Sequence, residues 1–200
     1  MGTRGFITLA VDGENKTTYN QWDSYPEGLG LTVVSWAREA AKDLDAVRKA
    51  VTALRVVTED DSPTDEDIER LRRFADFEVD RSAWNGETYV PRERPSWYQL
   101  LRRTQGDPAA MIRAGVIESA DEFPADSLFA EWGYVVDLTA ETFEVYQGFQ
   151  TRRHRQGRFA DMTPERDGYY PVRLVKSWLL AELPGDKDFA AEAECAGEVY

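Results

Sequence analysis

The chain has one cysteine, Cys195, and one histidine, His154, in 200 residues. A lone cysteine excludes an intramolecular disulfide and a cysteine-based metal cluster, and it fits a reducing cytosol. A lone histidine puts a histidine-rich metal centre out of reach. No metal and no cofactor is expected. No apolar run approaches the roughly eighteen residues that a membrane-spanning helix needs, so no membrane partner is expected. The apolar stretch from Phe6 to Val11 is too short for a secretory segment. Positive charge is also scarce: 24 Lys and Arg stand against 37 Asp and Glu, for a net charge of −13. Attraction to a nucleic-acid backbone is therefore not expected of the molecule as a whole. The expected partner is a protein with a basic surface, or a small anionic ligand at a local basic patch.

What is present is a folding composition, 42% hydrophobic and 12% aromatic, on a chain long enough for one sizeable core. No repeat or low-complexity tract divides it, so residues 1–200 read as a single α+β domain. The expected sheet is antiparallel, made of two or more hairpins. A long amphipathic helix and several short helices pack against it.

Two hairpins can be read directly. Gly5 to Val11, the turn Asp12-Gly13-Glu14-Asn15, and Lys16 to Trp22 form the first, with Gly13 supplying a positive φ. Trp132 to Leu138, a turn at Thr139 to Thr142, and Phe143 to Tyr146 form the second. There Phe143 and Val145 alternate with Glu144 and Tyr146. Trp36, Ala40, Leu44, Val47, Val51 and Leu54 recur at spacings of three and four, predicting one helix over residues 35–56. The acidic run from Glu59 to Asp67 carries Thr64 three places before Asp67, a capping box rather than a calcium loop. Asn85-Gly86 marks a turn, and Thr88 to Val90 a short edge strand. Helices are expected to start at Pro95-Ser96-Trp97 and at Asp107-Pro108, where proline suits the first turn.

Several segments together resemble a family of uncharacterised bacterial and bacteriophage proteins, actinobacterial ones included. They are the opening Met1-Gly2-Thr3-Arg4-Gly5, the stretch from Tyr19 to Gly30, Ser96 to Leu101 with Thr104 to Gly106, and the strand pair from Glu131 to Tyr146. That resemblance implies a cytoplasmic location and a phage or prophage connection. It carries no activity, cofactor or catalytic residue. A looser likeness is to the N-terminal nucleophile hydrolases. In that reading Thr3, exposed by cleavage, would be the nucleophile, with its α-amine as base. Removal of Met1 alone would expose Gly2, which has no side-chain nucleophile.

Two sets of residues are candidates for a site. Arg4, Asn20, Asp23, Ser24 and Tyr25 cluster around a strand-end loop, where functional groups are often mounted on a rigid scaffold. Asn20 offers a donor and an acceptor, Asp23 can orient a hydroxyl, and Arg4 can fork onto an anion. The plainer reading is that Asp23 and Ser24 cap a turn. Arg152, Arg153, Arg155 and Arg158, with His154 among them, form a compact basic knot in an acidic protein. It can hold phosphate or an acidic partner surface, contact single-stranded nucleic acid with Tyr146 or Phe149 stacking, or pair with the protein's own carboxylates. Cys195 reads as structural. The leading function is a cytoplasmic accessory or interaction protein. The alternative is a hydrolase or transferase on a small phosphate-bearing or amide substrate, with Asp23 and Ser24 as its catalytic candidates, or Thr3 in the N-terminal nucleophile variant.

Overall fold

The computed structural model describes residues 2–197; Met1, whose removal would expose Gly2, lies outside them. A five-stranded mixed sheet runs in the order β2-β1-β7-β8-β9. Its strands are β1 (Gly5–Val11), β2 (Glu14–Asn20), β7 (Trp132–Asp137), β8 (Thr142–Gln147) and β9 (Arg173–Leu179). Two smaller pairs complete the strands. β3 (Arg55–Val57) runs parallel to β6 (Val116–Glu118), and β4 (Ser82–Trp84) runs antiparallel to β5 (Tyr89–Pro91). The helices are α1 (Leu31–Ala40), α2 (Leu44–Thr52), α3 (Asp65–Leu71), α4 (Trp97–Leu100), α5 (Pro108–Ala114) and α6 (Asp186–Gly197).

Both hairpins form where expected. Val11 pairs with Glu14 across a two-residue turn, and Asp12 and Gly13 have φ of 51° and 82°, the left-handed pair that matches strand twist. The sheet is not wholly antiparallel, however. β1 and β7 lie side by side in parallel, with Gly5 opposite Trp132 and Ala10 opposite Asp137. This pairing joins the two hairpins into one sheet. Phe6 lies opposite Gly133, and a Cβ on Gly133 would stand 2.0 Å from the Phe6 ring. Only glycine leaves room for that ring.

Both faces of the sheet are covered. Ile7, Leu9, Val11, Tyr134, Val136, Phe143 and Val145 pack with Val33 and Ala37 of α1, Val51 of α2, Met111 of α5 and Phe189 of α6. Phe6, Ala10, Val135 and Tyr146 face the other way, against Phe159 and Val172 of the long loop before β9. β1 is accordingly buried along its whole length. A third apolar cluster joins Val57 and Val116 of the β3/β6 pair to Leu71, Trp97, Leu100 and Ala110.

The helix expected over residues 35–56 is two helices. Asp43 adopts a non-helical φ of −148° and its side chain accepts from the Ala46 N–H, starting α2 afresh. The apolar spacing runs on across this break, which is why periodicity alone does not show it. Lys16 closes the far end of α2: its buried ammonium donates to the carbonyls of Val51, Thr52 and Leu54 at 2.8, 2.9 and 3.0 Å. Val51 and Thr52 stand in the last turn, where a helix exposes its carbonyls, and Leu54 lies just beyond it. The Thr64–Asp67 capping box forms at α3, and Asp107 caps α5 with Pro108 in its first turn. Cys195 is exposed on α6. Among the described residues, no helix is long and apolar enough to cross a membrane.

Candidate functional site

The loop after β2 is tied together from within. The buried Asn20 amide donates to the Trp22 carbonyl and to Ser24 Oγ at 2.9 Å. Ser24 donates its N–H to the Thr3 carbonyl at 3.1 Å and accepts from the Tyr134 hydroxyl at 2.9 Å through its own carbonyl. Asp23 sits exposed at φ 53°, a left-handed turn position that Asp tolerates, and its carbonyl accepts from Leu29 N–H. Tyr25 is partly exposed and leads into a short π-helical turn at Pro26–Gly30. Arg4 lies over the Phe129 ring, 4.1 Å from its centre, with Arg166 also on that ring. Hydrogen bonds join Thr3, Asn20 and Ser24, whereas the Arg4 side chain turns to Phe129, and none of Arg4, Asn20, Asp23, Ser24, Tyr25 and Thr3 lines either of the two clefts described below.

The basic knot is divided. Arg158 turns inward, where its guanidinium meets Glu144 at 2.7 and 3.0 Å, Asp137 at 2.7 Å and Asn15 at 3.1 Å. Burial works against the charge of Arg158, but these carboxylates outweigh it and raise its pKa further. Arg158 is therefore matched to the protein's own acids. Arg155 is exposed and does not line the cleft formed by its neighbours. Arg152 and Arg153 do line it, together with Phe149 and His154. His154 is held on both ring nitrogens: Nε2 lies 2.8 Å from the Pro171 carbonyl, and Nδ1 accepts from Gln156 N–H at 3.2 Å. This ring braces the loop and has no nitrogen left to act as a base.

The larger cleft, about 980 Å³, was not anticipated from the sequence. It opens where the parallel strands β3 and β6 both end, at Thr58-Glu59-Asp60 and at Glu118 to Glu122. The Ser119 N–H donates to the Val57 carbonyl at 2.7 Å, and Ala120 N–H to the Thr17 carbonyl at 2.9 Å, so this end is fixed between β3 and β2. Asp80 and Arg92, at the foot of the β4/β5 hairpin, and Ser96 and Tyr98, at the start of α4, form the opposite wall. Six carboxylates line the space: Glu59, Asp60, Asp80, Glu118, Asp121 and Glu122. One arginine, Arg92, faces them, and it is paired with Asp80 at 2.6 Å. No group of three His, Cys, Asp or Glu among the described residues is placed to hold a metal ion.

Glu118 is the distinctive group. Burial, with the neighbouring charges of Glu59 and Asp80, pushes its carboxyl up to about 7, against a small opposing effect of Arg92. No hydrogen bond from the described residues reaches that carboxyl. It is a carboxylic acid poised to lose its proton near neutrality, in a cleft with a surplus of negative charge. Perturbed groups in clefts mark functional sites more often than chance.

Known protein families, curated proteins and solved structures offer no match to this chain. The site must therefore be judged on its chemistry. The sequence did carry a trace of it. Arg55-Val56-Val57-Thr58-Glu59-Asp60 and Val116-Ile117-Glu118-Ser119-Ala120-Asp121 are both short apolar runs followed by a hydroxyl residue and acids. The second follows α5 after a single glycine, Gly115, and so reads as a continuation of that helix.

Proposed function

We propose that this is a cytoplasmic accessory or interaction protein that receives a positively charged group of a basic partner in the acidic cleft. The observation that carries this reading is Glu118, a desolvated carboxyl among five further carboxylates, without a hydrogen bond of its own. A lysine or arginine side chain entering the cleft supplies the missing counter-charge and donors, and it favours the ionised form of Glu118. The rim acids Asp60, Asp121 and Glu122 steer such a partner from a distance. A phage or prophage origin rests on the sequence resemblance alone. The alternative of a hydrolase or transferase acting through Arg4, Asp23 and Ser24 has less behind it. Those residues line neither cleft, and Ser24 Oγ already accepts from Asn20.

The test is the binding of a hexa-arginine peptide to the full chain by calorimetry at pH 6 and pH 8. With Glu118 free to titrate near 7 and ionised in the complex, affinity rises about tenfold between these values. Glu118→Gln abolishes that rise, and added salt weakens binding at both pH values. Equal affinity at pH 6 and pH 8, or a pH response that survives Glu118→Gln, refutes the reading.

A further inference from the structure

The second cleft, independent of the first, is the chemical opposite of its surroundings. It measures about 530 Å³ and lies at the end of β8, between the loop from Gln147 to Gln156, Arg173 of β9, and Gly197 at the end of α6. That volume falls within the range of small-molecule sites. In a chain of net charge −13, no carboxylate among the described residues lines it. Elsewhere the arginines are mostly matched to acids, as at Arg38, Arg48, Arg55, Arg92, Arg158 and Arg166. Arg152 and Arg153, both on the lining, form no ion pair among the described residues.

Beside them stands Phe149. Its backbone is left-handed at φ 56°, a region that aromatic residues seldom occupy. It is held there because Phe149 N–H donates to the carbonyl of the buried Ser127 at 2.6 Å, and Gln150 N–H to Ser127 Oγ at 3.2 Å. The outcome is an aromatic ring on the cleft lining that is 53% exposed. Folding gains nothing evident from presenting a phenyl ring to water at the expense of backbone strain. Such strain persists where the surroundings over-determine it, and it gathers at ligand clamps.

We infer that this cleft binds a phosphate monoester of the nucleotide class. The guanidinium groups of Arg152 and Arg153 grip the phosphate dianion, for which their planar forks are suited. The Phe149 ring takes the base by stacking. His154, satisfied on both nitrogens, shapes the wall and makes no bond to the ligand.

The experiment is calorimetry on the full chain with AMP and, separately, with inorganic phosphate. AMP is expected to bind about tenfold more tightly than phosphate, since stacking adds to the shared phosphate grip. The exposed double variant Arg152→Gln/Arg153→Gln should weaken both ligands by roughly tenfold or more. Phe149→Ala should bring AMP down to the level of phosphate and leave phosphate unchanged. Arg155→Gln, outside the lining, should alter neither, and circular dichroism confirms that each variant is folded. Binding of neither ligand at millimolar concentration overturns the proposal, as does binding indifferent to the arginine pair. Equal binding of AMP and phosphate, unaffected by Phe149→Ala, overturns the nucleotide assignment.

Discussion

Replacing Glu118 by glutamine separates the cost of its charge from the packing of the cleft. The shape of the side chain is kept and its ionisation is removed. In the native protein the carboxyl titrates at about 7, against an ordinary value of 4.5. A group whose folded pKa is raised binds its proton more firmly in the native state than in the unfolded chain. Between pH 4.5 and pH 7 the native protein therefore holds the extra proton, and stability falls as the pH rises. The difference corresponds to at most about 3 kcal/mol, and the opening of the cleft to solvent reduces this to roughly 1–2 kcal/mol. Wild type and Glu118→Gln should have equal stability at pH 4. By pH 8 the variant should be the more stable by that amount, because every other titrating group is common to both proteins. Urea denaturation at half-unit intervals of pH gives the two curves, with m-values reported alongside. Parallel curves from pH 4 to pH 8 would show that Glu118 is well solvated and would remove the basis of the acidic-cleft reading.

Lys16→Met keeps the aliphatic stem and deletes the ammonium that caps α2, leaving the carbonyls of Val51, Thr52 and Leu54 without their charged donor. A loss of about 2 kcal/mol is expected in urea denaturation, and a loss within experimental error would deny the capping role. Arg158→Met strands Asp137 and Glu144, whose side chains are only 15% and 14% exposed. It should cost about 3 kcal/mol at pH 7. Burial opposes the charge of Asp137, while hydrogen bonds from Ala140 and from Arg158 hold its carboxyl below the ordinary range. Removing the arginine raises that value, so the deficit of the variant should shrink as the pH falls towards 4; a deficit that grows on acidification contradicts the assignment.

Features written in local chemistry were legible in the sequence. Asp12-Gly13 announces the first hairpin, the spacing of Thr64 and Asp67 its capping box, and Asp107-Pro108 the start of α5. Features that depend on distant partners were not. Nothing near Gly5 or Trp132 states that β1 and β7 pair in parallel. Glu144 and Tyr146 alternate with apolar residues and so look solvent-facing. In the fold Arg158 neutralises Glu144, and Tyr146 is buried against Phe159. The basic knot looked like a single unit, but its members are separated by what each one meets: an acid pair for Arg158, a cleft for Arg152 and Arg153. The acidic cleft draws on segments near residues 18, 58, 80, 97 and 118, and only the tertiary structure brings these together.

The parallel pairing of β1 with β7 sets an order on the birth of the molecule. Strand β1 leaves the ribosome before β7, and its hairpin partner β2 follows at once. Its other edge must wait for Trp132 to Asp137, more than a hundred residues later. At synthesis rates of roughly 5–20 residues per second, the interval is about 6–25 s. Through that time an apolar strand bears a row of unmatched backbone donors and acceptors, open to adventitious pairing with other nascent chains. The interior position that leaves β1 buried along its whole length in the finished sheet leaves one of its edges open in the unfinished one.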